Sequence, residues 1–346
     1  MQIIGFDPGN SESTLAWRVG AVQRHATIPS FIGSGRLEEL QRVRSAAGYG
    51  ALQKDELVLH FAGVPSFVGK LAIEESRDAS AARNDVSRYW NGHTLRLLLT
   101  LSAQANLSGP VRVMTGLPVS AWTAENKKAV QKALCGTHVY AVNGKERMLT
   151  IEAVGVMMEG AAALASYEAP PNIPQAVIDV GGRTTDLFWS VGVRPVARLC
   201  DAEEIGVEKA GDLLRQGTLS THKRELNPHE IRDTLRAYVS DEIAPRIFKD
   251  GKEIVLNGAV GAAIDAVAQQ LLSYVARLWG DDRGAVAGEA ARVLLIGGGA
   301  YYFGEALKQS IPHLETSRHP ELANAFGYLA VGSAASEEAW ARNRGQ

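Results

Sequence analysis

The sequence predicts an α/β protein built from two related domains, and three observations carry that prediction. The chain has 346 residues, more than one domain of about 150 residues requires. Two segments open in the same way, with an apolar strand, an aspartate, a glycine turn and then hydroxyl residues. One is "IIGFDPGNSEST" and the other "VIDVGGRTTD". Each is followed by further short strands and then by helices, so the organisation repeats in pattern rather than in identity.

The elements follow in order. "QIIGFD" is a strand ending at a turn, and "LAWRV" and "AVQRHATI" continue a meander around Gly20. Residues 33–56 are polar with mixed charge and read as a surface excursion. "LVLHF" and "PSFVG" are two more strands. "GHTLRLLLTLSAQANL" has helical spacing and stops before Ser108-Gly109-Pro110. "VRVMTGLP" is a strand, and "TAENKKAVQKAL" is a helix with Thr123 as its N-cap. Strands follow at "THVYAV" and "RMLTIEAVGV", then a small-residue helix over "MMEGAAALASYEAPP", stopped by Pro170-Pro171.

The second half restarts the pattern with strands "QAVIDVGG", "TTDLFWSV" and "RPVARLC". Helices are predicted near residues 205–216, 228–248 and 259–280. "RVLLIGGGA" is a strand entering a glycine turn, "YFGEALKQSI" the helix after it, and "HPELANAFGYLAVGSAASEEAW" a final helix. The expected division is 1–157, completed by a C-terminal helix at about 325–346, and 158–324. The expected arrangement is two domains facing each other across a cleft.

Composition narrows the function. Apolar residues at 46% fill two cores, and 21% charged residues is ordinary. A net charge of -2 provides no basic field to grip nucleic acid unaided. Cys135 and Cys200 have neither metal-ligand nor disulfide spacing, which fits a reducing, cytoplasmic setting. The N-terminus lacks the basic region of a signal peptide. "VGAAIDAVAQQLLSYVARLW" carries Asp265 and Arg277 and reads as a buried amphipathic helix, so no membrane span is expected.

Four constellations carry chemistry. In "FDPGNSEST", backbone amides around Gly9 and the side chains of Asn10 and Ser11 suit an anion. Asp7 repels phosphate, so it makes sense with a hydrated divalent cation between them. In "DVGGRTTD", Gly181, Gly182, Thr184 and Thr185 repeat the anion part and Asp179 the cation part. Either loop alone also reads as an ordinary turn; the two together favour a phosphate clamp. Gly297, Gly298 and Gly299 let a base or ribose approach the backbone. Glu159 either favours a helix dipole or orients a water that attacks a γ-phosphate.

Together these segments resemble the actin-like ATPase superfamily, with its sugar kinases and chaperone ATPase domains. "FDPGNS" is similar to the first phosphate loop, "DVGGRTTD" to the second and "IGGGA" to the adenosine motif. "VMTGLPVSAW", "MMEGAAALASY" and "HPELANAFGYLAVG" resemble segments of the ParM/StbA plasmid-segregation actins and their archaeal relatives. The resemblance covers nearly the whole chain and implies an actin-like fold of two ribonuclease-H-like domains. It implies Mg²⁺ with ATP or ADP between the domains, filaments of the chain with itself, and disassembly on hydrolysis. A DNA-binding adaptor is the implied further partner. Asp7 and Asp179 would organise Mg²⁺ through water, and Glu159 would orient the attacking water. Gly9, Asn10, Ser11, Gly181, Gly182, Thr184 and Thr185 would cradle phosphates. Gly298 and Gly299 would face the adenosine, and Glu208 would reach the ribose or base.

The chain departs from that pattern in three places. Arg183 sits inside the second loop, where it can pair with phosphate, enter a filament contact or alter hydrolysis. Pro8 removes one backbone donor. "STLAW" stands where a phosphate-contacting lysine is usual. Two rival readings share the fold: a small-molecule kinase, which lacks an evident catalytic base here, and a non-hydrolysing assembly scaffold. A chaperone ATPase is disfavoured because no substrate domain follows residue 346.

Overall fold

A computed structural model describes residues 1–46, 48, 52–80, 86–166, 172–240, 247–280 and 287–344. The chain divides into two compact units, Met1–Glu168 with Leu322–Gln346, and Ala169–Glu321.

Unit 1 begins with the meander β1 (Gln2–Pro8), β2 (Glu12–Val19) and β3 (Val22–Pro29). Next come β4 (Ile32–Ser34), α1 (Leu37–Ala46), β5 (Leu57–Phe61), β6 (Val64–Val68) and α2 (Lys70–Glu75). The helix α1 lies within the polar stretch expected as a surface excursion. A single 3₁₀ turn, Val86–Tyr89, precedes α3 (His93–Gln104) and β7 (Gly109–Leu117). The helix α4 (Ala124–Leu134) starts where expected, because Thr123 accepts from the Asn126 amide. It is followed by β8 (Gly136–Val142) and β9 (Lys145–Met158). The sheet order is β3-β2-β1-β7-β9-β8-β5-β6-β4.

Unit 2 repeats the opening with β10 (Pro174–Val180), β11 (Thr185–Val191) and the short β12 (Arg194–Pro195). The expected strand over "RPVARLC" is interrupted by a 3₁₀ turn at Ala197–Leu199, and β13 (Asp201–Glu203) returns to pair with β11. After it come α5 (Val207–His222) and α6 (Pro228–Val239), the latter with an Asn227–Glu230 capping box. The predicted helix over 228–248 is wrong at its end. Ile247–Lys249 is β14, paired with β15 (Lys252–Ile254) through Asp250-Gly251, both at positive φ. Asp-Gly is the hairpin signal that helical periodicity obscured; residues 241–246 lie outside the described residues. The long helix α7 (Asn257–Trp279) precedes β16 (Arg292–Ile296), α8 (Ala300–Ser310) and β17 (Leu314–Thr316). The sheet order is β12-β11-β10-β16-β17.

The chain then returns to unit 1 with α9 (Ala323–Ala334) and α10 (Glu337–Ala341). One final helix was expected. Ala335 is extended and Ser336 caps a new helix by accepting from Ala339, so the element breaks in two.

The two sheets share a plan. In each, an antiparallel meander is joined by two strands parallel to its first strand: β1–β7–β9 in unit 1 and β10–β16–β17 in unit 2. The first hairpins match in register. Pro8 pairs with Ser13 and Val180 with Thr185, leaving loops 9–12 and 181–184 of equal length. Alternation sets the layers of unit 1. Ile4 and Phe6 enter a core with Leu97 and Leu98 of α3. Gly5 faces the other side, where a Cβ would strike the Ala325 carbonyl of α9. Unit 2 packs Ile178, Leu187, Trp189, Leu295 and Phe303 with one face of α7. Among the described residues α7 alone has the length and apolarity of a membrane span, yet Val260, Ile264, Val267, Leu271 and Val275 lie in that core.

Candidate functional site

The first loop is held rigidly from behind. Asp7 is half-buried in β1, opposite Thr14. Gly9 is required by the turn, since a Cβ there would strike the Glu12 carbonyl. Ser30 braces the loop: its amide donates to Ser11 O at 2.9 Å and its hydroxyl to Gly9 O at 2.7 Å. His93 Nε2 lies 3.2 Å from Ser30 O. A carbonyl only accepts, so this nitrogen carries the hydrogen. Burial pushes the His93 pKa down to about 4, which keeps the ring neutral at neutral pH. Arg88 reaches Gly9 O through Nη1 at 3.4 Å. Asn10 and Ser11 are half-buried at the turn.

Glu159 is not in a helix. The predicted helix over "MMEGAAALASYEAPP" is replaced by the end of β9, a turn, and a 3₁₀ turn at Ala163–Ser166. Strand pairing wins locally, because Met158 is still in register with Leu117 of β7. The expected stop at Pro170-Pro171 lies outside the described residues. Glu159 thus leaves the strand end as Asp7 does, and the helix-dipole reading falls away. Its amide donates to Leu117 O at 2.9 Å, and its Oε1 accepts from the Tyr89 hydroxyl at 3.1 Å. Gly160, at φ 80, turns the chain and donates to Asn324 Oδ1 at 3.1 Å. The absence of a side chain at Gly116 admits the Tyr328 hydroxyl beside Glu159; a Cβ there would lie 3.2 Å from Glu159 Cγ.

In unit 2, Asp179 is 8% exposed and stands directly opposite Asp186, which is 2% exposed. Two carboxylates facing each other across a strand pair repel, so this placement favours a cation or polar hydrogens between them. Unit 1 has Thr14 at the corresponding place. Among the described residues no three His, Cys, Asp or Glu side chains are grouped to hold a metal directly. The facing carboxylates of Asp179 and Asp186 are the oxygen donors that would take a hydrated magnesium ion.

The second loop closes with Gly181 N donating to Thr184 O at 2.8 Å. Its carbonyls meet the start of α5: Glu208 N donates to Gly182 O at 2.7 Å and Val207 N to Gly181 O at 3.3 Å. These helix amides are therefore committed to the loop. Gly206 permits the approach, since a Cβ there would lie 2.5 Å from Gly182 O. Arg183 forms an ion pair with Glu204 at 2.7 Å. Thr184 is half-buried. Thr185 is fully buried and its hydroxyl donates to Ile205 O at 2.6 Å, so it ties the loop to the chain before α5.

The three glycines of the last turn differ. A Cβ on Gly297 would lie 2.6 Å from Asp179 Oδ1, and one on Gly299 would strike Val180. Gly299 N also donates to Val180 O at 2.8 Å. Gly298 is exposed, with nothing near its missing Cβ. Packing explains Gly297 and Gly299 and leaves Gly298 unexplained by the protein itself.

The structure thus brings Gly9 and Glu159 into one network in unit 1. In unit 2 it gathers Asp179, Gly181, Gly182, Glu208, Gly297 and Gly299. Sequence reasoning missed Ser30, Arg88, Tyr89, Asp186 and Asn324. Asp186 and Asn324 lie inside the quoted motifs; nothing local marked the other three.

The model for the N-terminal domain of actin-like proteins matches residues 5–161, and that for the C-terminal domain of the archaeal MreB-like actin homologue matches 177–309. The chain belongs to the actin-like proteins. Among solved structures, this actin-like chain is similar to Ta0583, an archaeal actin homologue, at TM-score 0.79 and 18% identity, covering 97% of this chain and 100% of that one. A structure of Ta0583 in complex with ADP gives TM-score 0.76 at 18% identity, with the same coverage. A ParM filament from Clostridium botulinum gives TM-score 0.76 and 18% identity over 96% of this chain and 99% of that one. Bacillus thuringiensis ParM with ATP gives 0.68 and 15% over 96% and 98%. Among the curated proteins no sequence matches this actin-like chain.

Proposed function

We propose that this actin-like chain is a cytoskeletal ATPase that binds Mg-ATP and polymerises with itself, hydrolysis favouring disassembly. The observation that carries the reading is Gly298. It is the glycine of its turn that no packing requires, on a turn fixed to the strand bearing Asp179. Neighbours of the same fold add support: the Ta0583 structure contains ADP, and the Clostridium botulinum ParM structure is a filament.

In this reading the backbone amides of Gly9, Asn10 and Ser11 in unit 1 and of Gly182 in unit 2 bind phosphate oxygens, with Thr184 adding a hydroxyl, while the Gly181 amide is withdrawn because it donates to Thr184 O. Thr185 is withdrawn from that set, because its hydroxyl is committed to Ile205. Gly298 and Gly299 border the adenosine, and Glu208 is placed for the ribose or base. In unit 2, Asp179 and the added Asp186 would hold a hydrated magnesium ion, which would supply positive charge beside phosphate oxygens; Asp7 is the matching carboxylate of unit 1. Glu159 accepts a hydrogen bond from the attacking water and orients it. A DNA-binding adaptor on the filament, in a cytoplasmic plasmid- or DNA-segregation role, is the partner this reading expects.

Light scattering and phosphate release are followed together with Mg-ATP, with Mg-ADP and without nucleotide. The expected result is scattering that needs ATP and decays as phosphate appears. Glu159→Ala should slow phosphate release by about 100-fold or more, the scale of a lost general base, and prolong the scattering. Binding or hydrolysis with no scattering at any concentration overturns the filament reading.

A further inference from the structure

A buried cation stands behind the first loop. Arg88 is 3% exposed. Its main chain is fixed by Thr94, whose hydroxyl donates to Arg88 O at 2.9 Å. One end of the guanidinium points to Gly9 O at 3.4 Å; the other donates to the Tyr89 hydroxyl at 2.8 Å. The guanidinium carbon also lies 4.3 Å from the centroid of the Tyr89 ring, within cation–π range. A hydroxyl has one hydrogen. With Arg88 donating into its oxygen, Tyr89 directs that hydrogen to Glu159 Oε1 at 3.1 Å.

Charge decides the direction of influence. A buried guanidinium is costly unless its donors are used. Here one donor serves a loop carbonyl and another a phenol, whose own hydrogen passes to the carboxylate. A guanidinium cannot lose its proton in a protein, so the relay keeps one polarity. Gly9 O, which also accepts from the Ser30 hydroxyl at 2.7 Å, is thereby joined to Arg88, and Arg88 to the hydroxyl that donates to Glu159.

We infer that Arg88 and Tyr89 are positioning residues that couple the first phosphate loop to Glu159, so that occupation of the loop sets the aim of the water-orienting carboxylate. This rests on the hydrolytic reading above. Neither residue needs to touch nucleotide. Positive charge reaches the loop from behind and is shared, through the Tyr89 hydroxyl, with Glu159.

The test is a double-mutant cycle on the full chain, with single-turnover phosphate release, nucleotide affinity and thermal midpoint measured on each protein. Tyr89→Phe should slow phosphate release about tenfold, the weight of one hydrogen bond to a charged group, at unchanged nucleotide affinity. Glu159→Gln should be slow by itself, and Tyr89→Phe should slow it no further, because the relay then has no carboxylate to aim. Arg88→Met should match or exceed Tyr89→Phe, and Arg88→Lys should restore part of the rate. Additive losses in the double variant, or a rate loss that follows the thermal midpoint alone, overturn the inference and leave the ATPase reading standing. A wild-type chain that binds ATP and never releases phosphate overturns the ATPase reading, and the inference with it.

Discussion

The side-chain oxygen of Asn324 accepts a hydrogen bond from the Gly160 amide at 3.1 Å, across a sequence separation of 164. The residue after Glu159 is therefore held by a helix near the end of the chain. Gly327, one turn further along α9, has no Cβ to strike the Ala162 carbonyl, so the helix lies directly on this turn. Gly5 allows the same approach on β1.

Asn324→Ala should leave the buried Gly160 donor without its partner and cost about 1–3 kcal/mol of stability. Asn324→Asp keeps an acceptor at the same place and should retain most of that. Urea unfolding of the three proteins checks it; equal stability of the alanine variant would show that the turn holds without α9.

The three glycines of the last turn should separate binding from folding. Gly298→Ala has open space around it and should change stability by less than about 0.5 kcal/mol, while weakening nucleotide binding. Gly299→Ala drives a methyl group into Val180 and should cost about 1–3 kcal/mol in overpacking. Thermal unfolding and titration with a fluorescent ATP analogue read the two effects. Unchanged affinity in Gly298→Ala would remove the adenosine role from this turn.

His93 makes the first loop sensitive to acid. Its folded pKa is pushed to about 4 from an ordinary 6.5, chiefly by burial. Between those values the unfolded chain binds a proton that the folded chain refuses, so stability is complete above pH 6.5 and falls as pH drops toward 4. His93→Gln should flatten the part of the slope that lies in that window. Unfolding midpoints from pH 7 to 4.5 on both proteins measure it; parallel slopes would place the proton elsewhere.

Much of the fold was legible for local reasons. Thr123 and the two Asp-Gly loops signal their structure within a few residues of themselves. Errors came where pairing partners were distant. Met157 and Met158 look helical beside a run of alanines, and only the register with β7 makes them strand. Ile247–Lys249 looked like the end of a helix until it paired with Lys252–Ile254.

The sequence by itself determined that two strand–aspartate–glycine loops exist and that each opens a meander. Those are short-range facts, set by strand period and by the turns glycine permits. Tertiary structure decided which of these side chains are engaged by others. It committed Thr185 to Ile205, paired Arg183 with Glu204, and set Asp186 against Asp179. It also placed Arg88 and Tyr89 between Gly9 and Glu159. Burial forces polar groups to find partners wherever the fold brings them, and that demand acts across space rather than along the chain.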